Sequence, residues 1–286
     1  MKTIVVTGAT DGIGRAAAEG FLKAGCRVVG VARNRKKAAA MEADLREARL
    51  SFQFADLSSV REVDALATRL AESCPDGIDA LVHVAGTVST HRELTVDGYE
   101  KTFAVNHLAV HHLTIRCLPL LERRPGARVL VVSSRAHRWG RIFFRDVSLR
   151  GFYWLLTAYA QSKLMNVLFV RDMARRIDPK LVSFYAIDPG LVDTGIVAKT
   201  TKGLERWIWS WRRKAGTPPS VPAAAMVRIA LEDAYAGRSG LFWMEGVEKA
   251  PARRSGTVRT MDRLHALSDA MVDVALGGSS RFSAKK

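Results

Sequence analysis

Short apolar, β-branched runs alternate along this chain with longer amphipathic or Ala-rich stretches. Seven runs predict strands, at 3–7, 27–32, 50–54, 79–84, 127–133, 181–187 and 240–243. Between them, stretches near 13–24, 35–48, 58–73, 98–119, 157–177 and 221–235 predict helices. The strand runs are nearly continuous, as in Arg128-Val129-Leu130-Val131-Val132, rather than alternating apolar with polar. That suits a parallel sheet with both faces covered. Repeated strand–helix order predicts right-handed crossovers and a doubly wound α/β fold with seven mostly parallel strands and helices on both faces. Ligands of such sheets bind beyond the C-terminal strand ends, where the strand order switches.

The pattern changes after Gly190. Residues 191–220 hold no strand-like run and end in the breaker sequence Thr217-Pro218-Pro219-Ser220-Val221-Pro222. A connection of that length in a compact domain is usually functional, so 191–220 is expected to be a substrate lid. On a helix its Trp207 and Trp211 would share one face. They could line an apolar pocket, touch a membrane surface or pack the lid onto the body. The domain is expected to cover 1–275, with a disordered tail at 276–286.

Composition narrows the class. A hydrophobic fraction of 48% supports a large core. The net charge of +16 is spread along the chain rather than gathered on one helix or tail, which argues against a nucleic-acid footprint. Cys26, Cys74 and Cys117 are odd in number and scattered, as in a reducing compartment. The first strand begins by Thr3, which leaves no room for a signal peptide. No run nears the ~18 apolar residues needed to span a bilayer. A cytoplasmic location is expected.

The candidate chemistry begins at the first strand. Thr7-Gly8-Ala9-Thr10-Asp11-Gly12-Ile13-Gly14 follows Ile4-Val5-Val6 and precedes an Ala-rich helix. Gly8 permits a tight turn, Gly12 lets backbone approach a phosphate, and Gly14 lets helix and strand sit close. The helix N-terminus then offers unpaired N–H groups to an anion. Further along, Tyr159 and Lys163 stand four apart on one helix face. A nearby ammonium favours a phenolate, so the pair is a candidate acid–base device. Ser133 and Ser134 end a strand at the ligand edge, where a hydroxyl can donate to an oxygen gaining charge. Asn106 sits inside a predicted helix, where Asn is not favoured. His107 and His111 are i, i+4 neighbours beside His112, but no carboxylate or Cys completes a site, so packing or surface roles are expected and no metal.

Taken in order, these motifs resemble those of the short-chain dehydrogenase/reductases over roughly residues 3–245. They are T-G-x-x-x-G-x-G at 7–14, Asp56 after the third strand, Ala85-Gly86 after the fourth, Asn106, Ser134, Tyr159-x-x-x-Lys163 and Pro189-Gly190. The resemblance implies a Rossmann-type fold and a tetrad of Asn106, Ser134, Tyr159 and Lys163. Tyr159 would exchange the proton and Ser134 would polarise the substrate carbonyl. Lys163 would bind the nicotinamide ribose and lower the Tyr159 pKa, and Asn106 would hold a relay water. Ser133 is expected to face the cofactor. The implied cofactor contacts are Gly8, Thr10, Asp11, Gly12, Ile13, Gly14, Arg33, Asn34, Asp56, Leu57, Ala85, Gly86, Tyr159, Lys163, Pro189, Gly190, Val192 and Thr194. The long segment between Ser134 and Tyr159, rich in Arg and aromatics, is similar to the retinol dehydrogenase, protochlorophyllide reductase and WW-domain oxidoreductase branch. One departure is His83-Val84, where the family usually carries two Asn that brace the sheet.

The second strand ends Ala32-Arg33-Asn34, with no acid to take a ribose 2′-OH. Arg33, with Arg15 nearby, suits a 2′-phosphate, so NADP(H) is expected. The expected function is hydride transfer between nicotinamide and a carbonyl or alcohol of an apolar small molecule. The alternatives are an NADP-binding redox-sensing regulator without turnover, and a nucleic-acid-binding protein on the same fold. By resemblance alone, a homodimer or homotetramer through the Tyr159 helix and its neighbour is expected.

Overall fold

The structure is a computed structural model that describes residues 1–192, 217–252 and 256–278. Most of the expected lid (193–216), including Thr194, Trp207 and Trp211, and residues 279–286 of the expected tail lie outside the described residues.

Eight strands form one sheet: β1 (Thr3–Thr7), β2 (Arg27–Ala32), β3 (Leu50–Phe54), β4 (Ala80–His83), β5 (Ala127–Val132), β6 (Val182–Asp188), β7 (Leu241–Met244) and β8 (Val247–Lys249). Their order is β3-β2-β1-β4-β5-β6-β7-β8. The seven expected strands are all present and pair in parallel. The eighth corrects the strand count: β8 returns antiparallel on β7 through Glu245-Gly246, both with positive φ. Three exposed residues make it a short edge, which leaves little backbone open to pairing with another chain.

Alternate residues of each strand feed opposite faces. Val5, Val29, Leu81, Val129 and Phe184 point to one core. That core is covered by α3 (Val60–Ser73), α4 (101–122) and α5 (Leu155–Arg176). Ile4, Val6, Val28, Val82, Leu130 and Tyr185 point to the other. It is covered by α1 (Gly12–Lys23), α2 (Arg35–Leu45) and α6 (Ser220–Leu231). Helix α4 has three parts: Lys101–Phe103, a π-helical turn at Ala104–Leu108, and Ala109–Glu122. The wide turn falls on Asn106, and single π turns mark functional sites more often than regular helix does.

The last helix, α7 (Val258–Leu276), was not among the expected elements. Thr257 caps its first turn by accepting from the Thr260 N–H, and Gly277 closes it with φ 96°. Met261, Leu264 and Val272 recur on one face and pack against Leu164, Met165 and Leu168 of α5 and Leu108 of α4. So α7 lies on the helix pair through which the resemblance expects subunits to meet. No helix among the described residues is long and apolar enough to cross a membrane.

Candidate active site

The sheet order reverses between β1 and β4, and the glycine turn leaves β1 at that point. Gly8 (φ 71°) and Gly12 (φ 49°) hold backbone conformations that favour glycine. A Cβ on Gly14 would sit 2.2 Å from the Gly8 carbonyl oxygen. This residue therefore lets α1 start directly over the turn. Asp11 is the N-cap of α1 and accepts from the Gly12 N–H. Thr7 Oγ1 accepts from the Val84 and Ala85 N–H groups at 3.1 Å each, which fixes the end of β4 against β1. A Cβ on Gly8 would approach Ala85 Cα to 3.0 Å. The two loops thus enclose a narrow cradle lined by bare backbone, suited to a pyrophosphate.

The tetrad residues converge on the same edge. Lys163 Nζ donates to the Val132 carbonyl oxygen at 3.0 Å, and Asn166 Nδ2 donates to the same oxygen. A Cβ on Gly86 would meet Asn106 Oδ1 at 3.4 Å and Lys163 Nζ at 3.8 Å, which places all three around one point. Lys163 Nζ lies 5.5 Å from the Tyr159 ring centroid. Burial, partly offset by the neighbouring Ser134 hydroxyl, pushes the Tyr159 phenol up to about 12. Burial also pulls Lys163 down to about 8, against the charge of Asp188. The group that draws the phenol down here is Ser134. The Lys163 ammonium is turned to the end of β5.

Two expected roles change. Ser133 is 1% exposed and its hydroxyl donates to the Lys163 carbonyl oxygen at 2.9 Å. It ties β5 to α5 and does not face the cofactor edge, because strand alternation turns it under the helix. Asn106 accepts from the Thr87 N–H at 2.7 Å and donates to the Thr87 carbonyl and to Ser162 Oγ. Its amide is engaged at both ends, so the side chain braces the loop after Gly86.

Two residues beyond the sequence expectation shape the site. His137 Nε2 accepts from the Ala252 N–H at 3.1 Å, so its Nδ1 carries the hydrogen and donates to the Ser134 carbonyl at 2.7 Å. It fixes the backbone of the candidate carbonyl-binding serine. Asp188, at the end of β6, is 2% exposed. Its Oδ1 accepts from the Gly190 N–H, while Oδ2 has no hydrogen-bond partner among the described residues. Burial pushes its carboxyl up, and its charge acts on both Tyr159 and Lys163. A carboxylate just before Pro189-Gly190 at the ligand edge was the signal that could have marked it.

Cations collect at the outer end of the cradle, each beside an acid. Arg33 lies 3.9 Å from Asp56, Lys37 2.6 Å from Asp11, and Arg15 pairs with Glu19 and Asp44. Asn34 caps α2 through the Lys37 N–H, and Asp56 accepts from Ser58 N next to Leu57. Lys37 was not among the expected contacts, although it lies one turn into the basic run that Arg33 begins.

His83, the departure from the family's paired Asn, is 3% exposed and bonds Thr114 of α4 through Nε2 at 2.9 Å. It bridges β4 to the covering helix in their place. Burial lowers its pKa to about 3. The folded state thus binds fewer protons than the unfolded state between about 3 and 6.5, and stability falls as pH falls through that window. Complete expression would cost on the order of 5 kcal/mol. We expect His83→Asn to flatten the acid limb of a urea-denaturation series between pH 6.5 and 4. An unchanged slope would refute this account.

A doubly wound sheet with a glycine cradle at its switch point and a Ser–Tyr–Lys group across from it defines a dinucleotide-dependent enzyme class. A family model described as short chain dehydrogenase matches residues 2–205, and the chain belongs to that family. Among curated relatives, retinol dehydrogenase 14 of Mus musculus is 34% identical over 209 residues, which cover 68% of this chain and 62% of that one. The chain thus spans less than two thirds of that relative's length. Among solved structures, a protein from Mycobacterium paratuberculosis superposes with a TM-score of 0.75 at 26% identity, covering 96% of this chain and 94% of its own. The Pseudomonas aeruginosa RhlG/NADP active-site complex gives 0.68 at 25%, covering 85% and 94%.

Proposed function

We propose that this chain is an NADP(H)-dependent oxidoreductase that interconverts a carbonyl and an alcohol on a lipophilic small molecule. The observation that carries the reading is the Tyr159 phenol, buried beside the Ser134 hydroxyl with Lys163 Nζ 5.5 Å from its ring centroid, at the strand edge that also bears the glycine cradle. The cradle would take the pyrophosphate through the backbone of Gly8 to Gly14, with Ala85, Gly86, Pro189, Gly190 and Val192 along the cofactor's length. When bound, the nicotinamide supplies or accepts the hydride.

The protein's own part is to hold the oxygen and its proton. Ser134 and Tyr159 both donate to the substrate oxygen, whose charge grows as the carbon takes hydride. A phenol with a pKa near 12 stays protonated at neutral pH, so Tyr159 is poised to donate to the forming alkoxide. Lys163, anchored on the Val132 carbonyl, would bind a ribose hydroxyl of the cofactor. Trp139, Phe152 and Trp154 lie exposed on the segment joining Ser134 to Tyr159 and favour an apolar substrate. The name of the 34% identical relative points the same way.

The test is NADPH oxidation against aldehydes and ketones of increasing chain length. Turnover should rise with apolar size, and no turnover across the series would remove the proposal. Arg33→Asp removes a cation from the expected 2′-phosphate position. It should lower kcat/KM for NADPH about tenfold to a hundredfold while sparing NADH. An unchanged cofactor ratio would place the 2′-phosphate elsewhere.

A further inference from the structure

Helix α7 brings two titratable side chains onto a histidine of α4. His265 and Asp269 stand four apart on one face of α7, and His111 projects from α4, fully packed at 2% exposure. His111 Nε2 lies 2.7 Å from Asp269 Oδ1, and His265 Nε2 lies 3.5 Å from Asp269 Oδ2. One nitrogen from each ring and one carboxylate oxygen all fall within 4.8 Å of one another. The two imidazoles stand edge to face, their centroids 5.0 Å apart, with the Phe169 ring as an apolar wall 5.5 Å from His111.

Asp172 of α5 decides the state of His265. Its carboxylate takes salt bridges from Arg175 and Arg176 at 2.7 Å each and lies 2.8 Å from His265 Nδ1. An ionised carboxylate can only accept, so the His265 hydrogen sits on Nδ1. That leaves Nε2 as the nitrogen that faces Asp269 Oδ2. The 3.5 Å between Nε2 and Oδ2 is long for a direct hydrogen bond and short enough for one ion to bridge the two atoms. A carboxylate that orients one imidazole so that its other nitrogen faces a third donor is the arrangement that tunes histidine metal ligands.

We propose that His111, His265 and Asp269 form a site for a divalent transition metal that pins α7 to α4, with Asp172 as the residue that positions His265. Two imidazoles and a carboxylate suit a borderline ion such as Zn(II), Co(II) or Ni(II) rather than calcium or magnesium. Tetrahedral ligands stand roughly 3.3 Å apart, so closure needs side-chain movements of about an ångström or so. Asp269, half exposed, is free to make them and leaves an outer position for water. Two neutral rings and one carboxylate give the ligand set a net negative charge. The neighbouring guanidiniums of Arg175 and Arg176 are already matched by Asp172 and Asp262. The site lies outside the candidate catalytic edge, and its role is to hold the C-terminal helix in place. His111 alone gave no such signal in the sequence, because Asp269 lies 158 residues away.

The test uses the full chain without a polyhistidine tag, stripped with chelator. Titration with Zn(II) should show one equivalent bound at micromolar or tighter affinity by calorimetry. Co(II) should give the visible bands of a four-coordinate ion. At a hundredfold excess over Kd, the melting temperature should rise by roughly 4–5 °C. Asp269→Asn, at the exposed rim, should weaken binding at least tenfold. Asp172→Asn should weaken it about tenfold to a hundredfold without removing a ligand. His91→Ala, far out on an exposed loop, should change nothing. The proposal is overturned if no stoichiometric binding occurs, or if binding survives both Asp269→Asn and His265→Gln unchanged.

Discussion

Tyr159→Phe should lower kcat for carbonyl reduction by ~10²–10⁴-fold while leaving the NADPH dissociation constant within about twofold of wild type. The substitution deletes one oxygen from a ring that α5 already holds in place, so the fold and the cradle lose nothing. What is lost is the hydroxyl proposed to hand its proton to the forming alkoxide, which burial keeps protonated at neutral pH by holding the phenol near 12. Stopped-flow measurement of nicotinamide oxidation with a good aldehyde substrate, beside a fluorescence titration of the cofactor, separates the two quantities. Equal turnover by wild type and variant would dismiss Tyr159 as the acid. A parallel loss of NADPH affinity would instead give the ring a binding role. Ser134→Ala should fall between them, because it removes one of two donors to the oxygen.

Gly14→Ala should have the second large effect, and for a purely geometric reason. The added Cβ would lie 2.2 Å from the Gly8 carbonyl oxygen and 2.7 Å from its carbon. Both are backbone atoms of a turn pinned by Ala85, so relief requires α1 to lift away from β1. We expect a loss of about 3 kcal/mol or more in urea denaturation, with NADPH binding weakened further because the helix N-terminus moves off the phosphate. Gly151→Ala is the matched control. Its nearest contact would be Asp146 Oδ2 at 3.8 Å, an ordinary distance, so stability should stay within about 0.5 kcal/mol of wild type. Wild-type cofactor affinity in Gly14→Ala would mean that the turn does not carry the pyrophosphate.

Much of this was readable from the chain. The seven parallel strands follow from continuous apolar runs, the glycine turn and the Tyr159–Lys163 pair follow from spacing, and Ser134 joins that pair through the family resemblance. What was missed shares a physical cause: it depends on partners far away in the sequence. Asp188 reads as an ordinary polar residue until the fold buries it at the end of β6, where its charge acts on Tyr159 and Lys163. The π turn at Asn106 widens one turn of a helix without disturbing the residue pattern that predicts it. Helix α7 carries a legible stripe of Met261, Leu264 and Val272, yet no strand-like run follows it in the sequence, so the strand–helix alternation gave no place for it. Strand β8 is three exposed residues long, and nothing in Val247-Glu248-Lys249 separates it from a loop.

The position of β1 beside β4 has a consequence for how the molecule comes together. Thr3 and Asp79 are hydrogen-bonded across that seam although 76 residues separate them. Local units such as β1-α1-β2 have short loops to close, whereas this seam must wait for an entropically costly closure. The phosphate cradle has one wall on each side of it. A chain emerging from the ribosome therefore carries its glycine turn long before the turn has an opposite wall, and cofactor capture becomes a report that the centre of the sheet has closed.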